Sequence, residues 1–577
     1  MAADNLQSNI VRTRHLIIFL WLAAFCFGSQ AGPAGKPDFE GWVRAELQSG
    51  KQVIVIPKGV HHAYAQNASQ RTLHLSNNDD GMKQILFDLS QRDGVVVDGN
   101  GAELILHGHI IPFYMREAKN ITIKNLTIDY AHPFFSQGTI EKVGEGFFDV
   151  RFGAEYPVGI REGRLVFLNP DLPEPMDFNN INVVDPQLGR LVFKSQDEYE
   201  VGSVHMAELL EGNLARIRSA CIRSPLKVGH IAVFQYSSRS SPAVVVHRGA
   251  NIRLDNLTMY HAAAFGGLFE GTRDIYIDGV RIVRRPGSGR WYTAQHDAMH
   301  FVECRGDIHL KNNRFEFLGD DDINIHGIYR PVIRREDPKK ICTRLSHFQQ
   351  MGVDTLHKGD VIGFHDANTL ELLGSGKLAV YMDQDTAQED LLVFEEPLPN
   401  LDWGKVVVAP LLHDTDVVIC GNHFSNHRAR NLLIKTLGKV RIYDNYFNAQ
   451  GAAIQIRPDA SSWYEASAVE DVEIYHNVFD QCNTGGFSQA TFEIGATLEK
   501  PDSEIPVVRN VRIHHNKIIT IFKPLIDASH VENLEFFDNE IILGKDHKPW
   551  HKGKTEPEAA IFGPGVTKGR FQDLSYE

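Results

Sequence analysis

Apolar residues alternate with polar ones in short phrases that open on Asn, Asp or Lys and often close on Asn. They read N-I-T-I-K-N (120–125), N-I-R-L-D-N (251–256), D-I-Y-I-D-G (274–279), D-I-H-L-K-N-N (307–313) and D-V-V-I-C-G-N (416–422). Four more follow: K-V-R-I-Y-D-N (439–445), D-V-E-I-Y-H-N (471–477), N-V-R-I-H-H-N (510–516) and N-L-E-F-F-D-N (533–539). A period of two is that of a strand, not a helix. The starts lie 23 residues apart three times, 32 or 33 twice and 39 once. A strand repeat of this length with loop insertions predicts a parallel β-helix, each coil carrying about three short strands stacked on the next. Crossover handedness makes it right-handed. A β-sandwich with chance phrases would not keep the spacing.

Two gaps interrupt the repeat, 131–247 and 328–412. Both hold strand-like pieces such as GRLVFLNP (163–170), GRLVFKS (189–195), GDVIGFHD (359–366) and LLVFEEPLP (391–399), with Pro, Gly and Asp turns between. They are expected to be β-rich, barrel-like domains set into loops of the coil. The all-β chain then divides into N-terminal coils (32–130), a first insertion (131–247), central coils (248–327), a second insertion (328–412) and C-terminal coils with a tail (413–577).

Ahead of these, Arg12, Arg14 and His15 precede the apolar run LIIFLWLAAFCFG (16–28), and Ser29-Gln30-Ala31 offers small residues for cleavage. This reads as a secretory signal peptide over 1–31, too short in its apolar part to span a bilayer. A secreted or periplasmic protein, with no membrane attachment after cleavage, is the expectation. Beyond Cys26 the cysteines are Cys221, Cys304, Cys342, Cys420 and Cys482, scattered and without a C-x-x-C pair, which fits neither a zinc site nor a disulfide framework. They read better as buried small hydrophobes, though one disulfide could be made among them.

Composition narrows the partner. The 577 residues are 43% hydrophobic and 10% aromatic, with 33 Phe and 48 Gly, which suits an all-β chain with many turns. A net charge of −14 speaks against nucleic acid, whose phosphates need clustered Lys and Arg. A neutral, hydroxyl-rich ligand fits better. Long insertions near the candidate site leave room for a homodimer.

The chemistry lies between Trp291 and Gly327. Setting D-A-M-H-F (297–301) over D-D-I-N-I (321–325) places Asp297 on Asp321, Met299 on Ile323 and Phe301 on Ile325, an offset of 24 residues. Residues in register on successive coils lie about 4.8 Å apart. Asp297 and Asp321 should therefore be neighbours, with Asp320 beside them. Past the second insertion, R-N-L-L-I-K (430–435) continues the column with Arg430 over Asp321, and A-A-I-Q-I-R (452–457) brings Arg457 near Lys435 and His326. Clustered carboxylates cannot all ionise cheaply, so at least one pKa should rise, which suits a general acid beside an ionised base and hence glycoside hydrolysis. Three carboxylates favour inversion, two of them sharing the water. In a regular strand Asp320 and Asp322 would face one side and Asp321 the other, so using Asp320 and Asp321 together requires a local bend.

The pair H-D-A-M-H (296–300) and G-D-D-D-I-N-I-H-G (319–327), with R-N-L-L-I-K and D-A-S-S-W-Y-E (459–465), resembles glycoside hydrolase family 110 from about residue 38 to the end. A looser similarity to polygalacturonases follows their D…D-D…G-H-G…R-I-K pattern, here with His326-Gly327 lacking the leading Gly and with R-N-L-L-I-K longer than R-I-K. The resemblance implies an exo-acting α-1,3-galactosidase acting on glycans with terminal α-galactose, such as the blood-group B antigen. It implies Asp320 as general acid and Asp297 with Asp321 as the groups that activate water, and it gives Asp322 no role. His326, Arg430, Lys435 and Arg457 would hold sugar hydroxyls. Trp463 would offer an apolar platform, with Asp459 and Glu465 gripping hydroxyls. Neither a cofactor nor a metal is expected. A β-helix hydrolase or lyase of acidic polysaccharides, the lyase needing Ca²⁺ and an Arg or Lys base, and a non-catalytic glycan-binding β-helix are the other classes such a chain could fill.

Overall fold

The computed structural model describes residues 38–195, 206–218, 226–384, 389–486, 488–548, 550–551 and 558–574. The N-terminal run read as a signal peptide, together with Cys26 and Cys221, falls outside them. Among the described residues no helix is long and apolar enough to cross a membrane.

The nine phrases stack as nine consecutive parallel strands. One unbroken inward row joins Ile121, Ile252, Ile275, Ile308, Val417, Val440, Val472, Val511 and Leu534 in register, and all of them are buried. Alternation is what places them there, since every second side chain enters the coil while the residues between face solvent. Phe315, Phe424, Phe447 and Phe479 run as a second column with ring centroids 5.6, 5.4 and 4.9 Å apart. The Asn that closes so many phrases forms a ladder at the coil corner. Asn313, Asn422, Asn445, Asn477 and Asn516 each donate backbone N–H and Nδ2 to the Oδ1 of the next, at 2.9–3.0 Å, and Asn539 ends the line by donating its N–H to Gln572 Oε1 at 2.7 Å. The residue before each Asn turns through positive φ, as at Asp444 (57°) and Gly421 (67°), which explains the Asp, His, Asn and Gly found there. Satisfying each buried amide contributes about 1 kcal/mol and fixes the coil register.

The parallel β-helix is thus built from two long sheets, of 21 and 13 strands. The helix Phe39–Gln48 buries Phe39 and Val43 in the same core. The two interruptions differ from one another. Arg330–Asp337, Lys340–Arg344, Val361–Asp366, Leu372–Gln384, Glu389–Phe394 and Val406–Pro410 close into a six-stranded barrel. The first interruption, from Phe135 to Tyr236, is a seven-stranded antiparallel sheet whose described strands stay open, with edges at Arg190–Leu191 and Met206–Glu211. Val244–His247, read from the sequence as part of this insertion, is a coil strand that pairs with Phe113–Arg116 and Gly267–Glu270. All four of its residues are buried, so it shows no polar alternation to betray it. Cys304, Cys342, Cys420 and Cys482 are free thiols.

Candidate active site

The smaller count of strands, the 13-stranded sheet, carries the site on its outer face. Met299, Ile323, Leu432, Ile454, Phe492 and Ile526 point into the coil in register, as the offset of 24 residues requires. The neighbouring row, His300, Asn324, Leu433, Gln455, Glu493 and Asp527, therefore faces outward. Above it opens a cavity of about 770 Å³ lined by the coils and by the first insertion, which contributes Asn180, Gln235 and Arg239.

Asp297, Asp320 and Asp321 meet on its wall, each offering an oxygen within 4.8 Å of the others. The required bend is present: strand Arg314–Glu316 ends, residues 317–322 turn, and the next strand starts at Ile323. Gly319 makes that turn achievable, because a Cβ there would lie 1.9 Å from Tyr292 Oη and 2.1 Å from the Gln295 carbonyl. Asp322 leaves the cluster for the interior, with Oδ1 2.8 Å from His427 Nε2 and Oδ2 accepting from Asn431 Nδ2 at 2.7 Å.

Each carboxylate of the trio has a distinct setting. Asp321 is buried and accepts from Arg430 three times, from its N–H at 2.8 Å, Nε at 2.9 Å and Nη2 at 2.8 Å. Burial pushes its carboxyl up to about 6, against the pull of Arg430. Asp320 is the most open, its side chain 19% exposed, with Arg428 Nη1 at 3.3 Å and Arg239 Nη2 at 3.6 Å. Asp297 is raised well above the usual carboxylate range by burial and then by Asp320, with Arg239 and Arg430 opposing.

A chain of hydrogen bonds runs behind Asp297. Its Oδ2 is 2.7 Å from His300 Nδ1, His300 Nε2 is 3.0 Å from His326 Nε2, and His326 Nδ1 is 2.7 Å from the Gly327 carbonyl. Burial lowers both imidazoles to about 4, so they are neutral near pH 7. Because a carbonyl can only accept, His326 carries its hydrogen on Nδ1 and accepts from His300 at Nε2. His300 Nδ1 is then bare, and the proton of the first bond belongs to Asp297.

Of the remaining residues expected in the site, Arg430, Lys435, Arg457, Asp459, Trp463 and Glu465 all line the cavity, whereas His326 lies behind His300 and does not. Lys435 pairs with Glu465, whose other oxygen accepts from Asn324 at 3.1 Å. Burial alone would raise Glu465, but Lys435 and the buried histidines hold it well below the usual carboxylate range. Arg457 is drawn to Asp527 at 2.6 Å. Asp459 organises its own loop, accepting from the backbone N–H of Ser461 at 2.7 Å, Ser462 at 3.0 Å and Trp463 at 2.6 Å, so its carboxylate is largely taken up. Trp463 stands at the rim, 45% exposed. His296 faces the inserted sheet, 3.3 Å from Gln235 Nε2, rather than steering Asp297. His300, Arg428 and Arg239 complete the centre without having been singled out beforehand. His300 and Arg428 stand within the quoted motifs or two residues from them, but Arg239 sits beyond the first insertion's strands, where no repeat spacing reaches.

Three carboxylates could in principle grip a cation. Here Asp297 keeps its proton, and Asp320, Asp321 and Glu465 already face Arg239, Arg428, Arg430 and Lys435. Cations so placed favour a polar, uncharged ligand over a metal.

No family model matches the chain. Over most of its length it is similar to proteins named α-1,3-galactosidase. The A form of Shewanella woodyi is 28% identical over 86% of this chain and 81% of its own. The B form of Bacteroides thetaiotaomicron is 29% identical over 87% and 82%, and the A form of Bacteroides fragilis is 27% identical over 86% and 82%. The likeness first read from the acidic motifs therefore extends across both insertions and the coils that carry them.

Proposed function

We propose that this relative of the α-1,3-galactosidases is itself an exo-acting glycoside hydrolase that removes terminal α-1,3-linked galactose from glycans, with inversion at the anomeric carbon. The observation that carries the reading is the meeting of Asp297, Asp320 and Asp321, faced by Arg239, Arg428, Arg430 and Lys435, in a cavity of monosaccharide-to-oligosaccharide size. Three oxygens no more than 4.8 Å apart all lie within about 2.8 Å of a common centre (4.8 Å divided by √3), the length of a water–carboxylate hydrogen bond. One water can be held by the cluster. The oxygens are closer than the roughly 6.5–9.5 Å spanned by a two-carboxylate inverting pair, so what favours inversion is the shared water, not the separation. Asp321 is also a poor nucleophile, since Arg430 engages both its oxygens.

Burial and their mutual nearness raise the carboxyls of Asp297 and Asp321 together. Asp320, the most open, serves as general acid and delivers its proton to the glycosidic oxygen as the bond to the anomeric carbon breaks. Asp321, ionised, takes the proton of the attacking water, which Asp297 helps to hold. Lys435, Glu465 and Asn324 offer donors and acceptors for the galactose hydroxyls. The positively charged start and apolar run at 12–28 support secretion or export to the periplasm.

The test is release of galactose from linear α-1,3-galactobiose and from the fucosylated blood-group B trisaccharide. Cleavage of either supports the reading, and their ratio fixes the branch preference. A protein that binds both but cleaves neither would be a lectin-like β-helix instead.

A further inference from the structure

The cavity does not end at Trp463. Its indole centroid lies 4.5 Å from the His347 ring, which in turn lies 4.8 Å from Phe348. The row climbs from the cavity into solvent: Trp463 is 45% exposed and Phe348 74%. Two separate parts of the chain build it, the loop after the coil strand Ile454–Ile456 and a short turn inside the barrel insertion. They are fastened together. Gln350 Nε2 donates to the Trp463 carbonyl at 3.0 Å, Asn77 N–H to the Gln349 carbonyl at 2.6 Å, and Trp463 N–H to Asp459 at 2.6 Å. Burial keeps His347 neutral, so its ring behaves as an aromatic face rather than a cation. A single exposed Phe needs no explanation, but a tethered file of three rings continuous with a catalytic cavity does. Pyranose C–H faces pack on such rings, and the row begins where the deep end of the cavity, holding the acids, gives way to the rim.

We propose that Trp463, His347 and Phe348 form subsites for the sugars on the aglycone side of the cleaved bond, making the preferred substrate an extended glycan rather than a bare disaccharide. This rests on the galactosidase reading above. The test compares the full-length wild type with Phe348→Ala on α-1,3-galactobiose and on a linear tetrasaccharide ending in α-1,3-linked galactose. Loss of one stacked ring raises KM for the tetrasaccharide about five- to tenfold, with galactobiose kinetics within about twofold, and Phe348→Tyr restores it. Calorimetry with the galactose-free trisaccharide gives the same loss of affinity without needing turnover. Equal effects on both substrates, or none on either, would overturn the shelf. So would a wild-type dimer that Phe348→Ala splits while tetrasaccharide kinetics stay unchanged. Wild type inactive on both saccharides would overturn the galactosidase reading, and the trisaccharide titration would still decide the shelf.

Discussion

Replacing Arg430 by Met should move the acidic limb of the pH profile upward. Arg430 closes a two-pronged grip on Asp321, Nε and Nη2 at 2.9 and 2.8 Å, around a carboxylate whose side chain is 3% exposed. Even with that grip, burial leaves the carboxyl at about 6. As a base it works only when ionised, so wild-type kcat/KM should fall as pH drops through about 6. Hydrogen bonds to a charged group are each worth roughly 1.5–3 kcal/mol. The Arg430 side chain is 22% exposed, so the lower figure applies. Two bonds then amount to about 3 kcal/mol, or about 2 pKa units at 1.36 kcal/mol per unit. The sign follows from the charge: losing a cation disfavours the carboxylate, raises its pKa and carries the limb to near pH 8. Arg430→Lys, which keeps the charge but not the fork, should move it about half as far. The assay is kcat/KM on p-nitrophenyl α-galactoside across pH 4–10, with melting temperatures to confirm folding. A limb that stays near 6 in Arg430→Met, with activity merely scaled down, would refute Asp321 as the ionised base.

Three further outcomes follow from the same geometry. Asp320→Asn should cut kcat on α-1,3-galactobiose by about 10²–10⁴ but far less on p-nitrophenyl α-galactoside, whose leaving group needs no proton; equal losses would remove Asp320 from the acid role. Asp322→Asn, whose side chain meets His427 and Asn431 inside the coil, should keep activity within about tenfold while lowering melting temperature by a few degrees. Losing activity as deeply as Asp320→Asn while Asp321→Asn stays active would reverse their assignments. EDTA should leave the rate unchanged, because Arg239, Arg428, Arg430 and Lys435 already occupy the positions facing the acids, and restoration by Ca²⁺ after chelation would contradict that.

Much of this was legible before any coordinates. The alternation within nine phrases marks strands, and their spacing fixes which strands stack. From those two facts came the register of Met299 on Ile323 on Leu432 and the nearness of Asp297 to Asp321. The turn that lets Asp320 and Asp321 share a face was required by strand geometry and made possible by Gly319. What periodicity could not reach was whatever breaks it. Arg239 arrives from beyond an antiparallel sheet, whose position over the cavity depends on tertiary packing. The strand Val244–His247 is buried along its whole length and carries no polar signature. Side-chain partnership was equally hidden: Asp459 looked like a sugar ligand in D-A-S-S-W-Y-E, yet three backbone N–H groups claim it. His326 stood in the right column, but His300 intervenes between it and Asp297.

A single water gripped by Asp297 and Asp321 must attack from the side opposite the bond that Asp320 helps to break. Proton NMR of the sugar in the first minutes of hydrolysis, before mutarotation, reads that directly. β-Galactose as the first product is the predicted result. α-Galactose would mean a covalent intermediate on one of these carboxylates and would contradict the shared-water site.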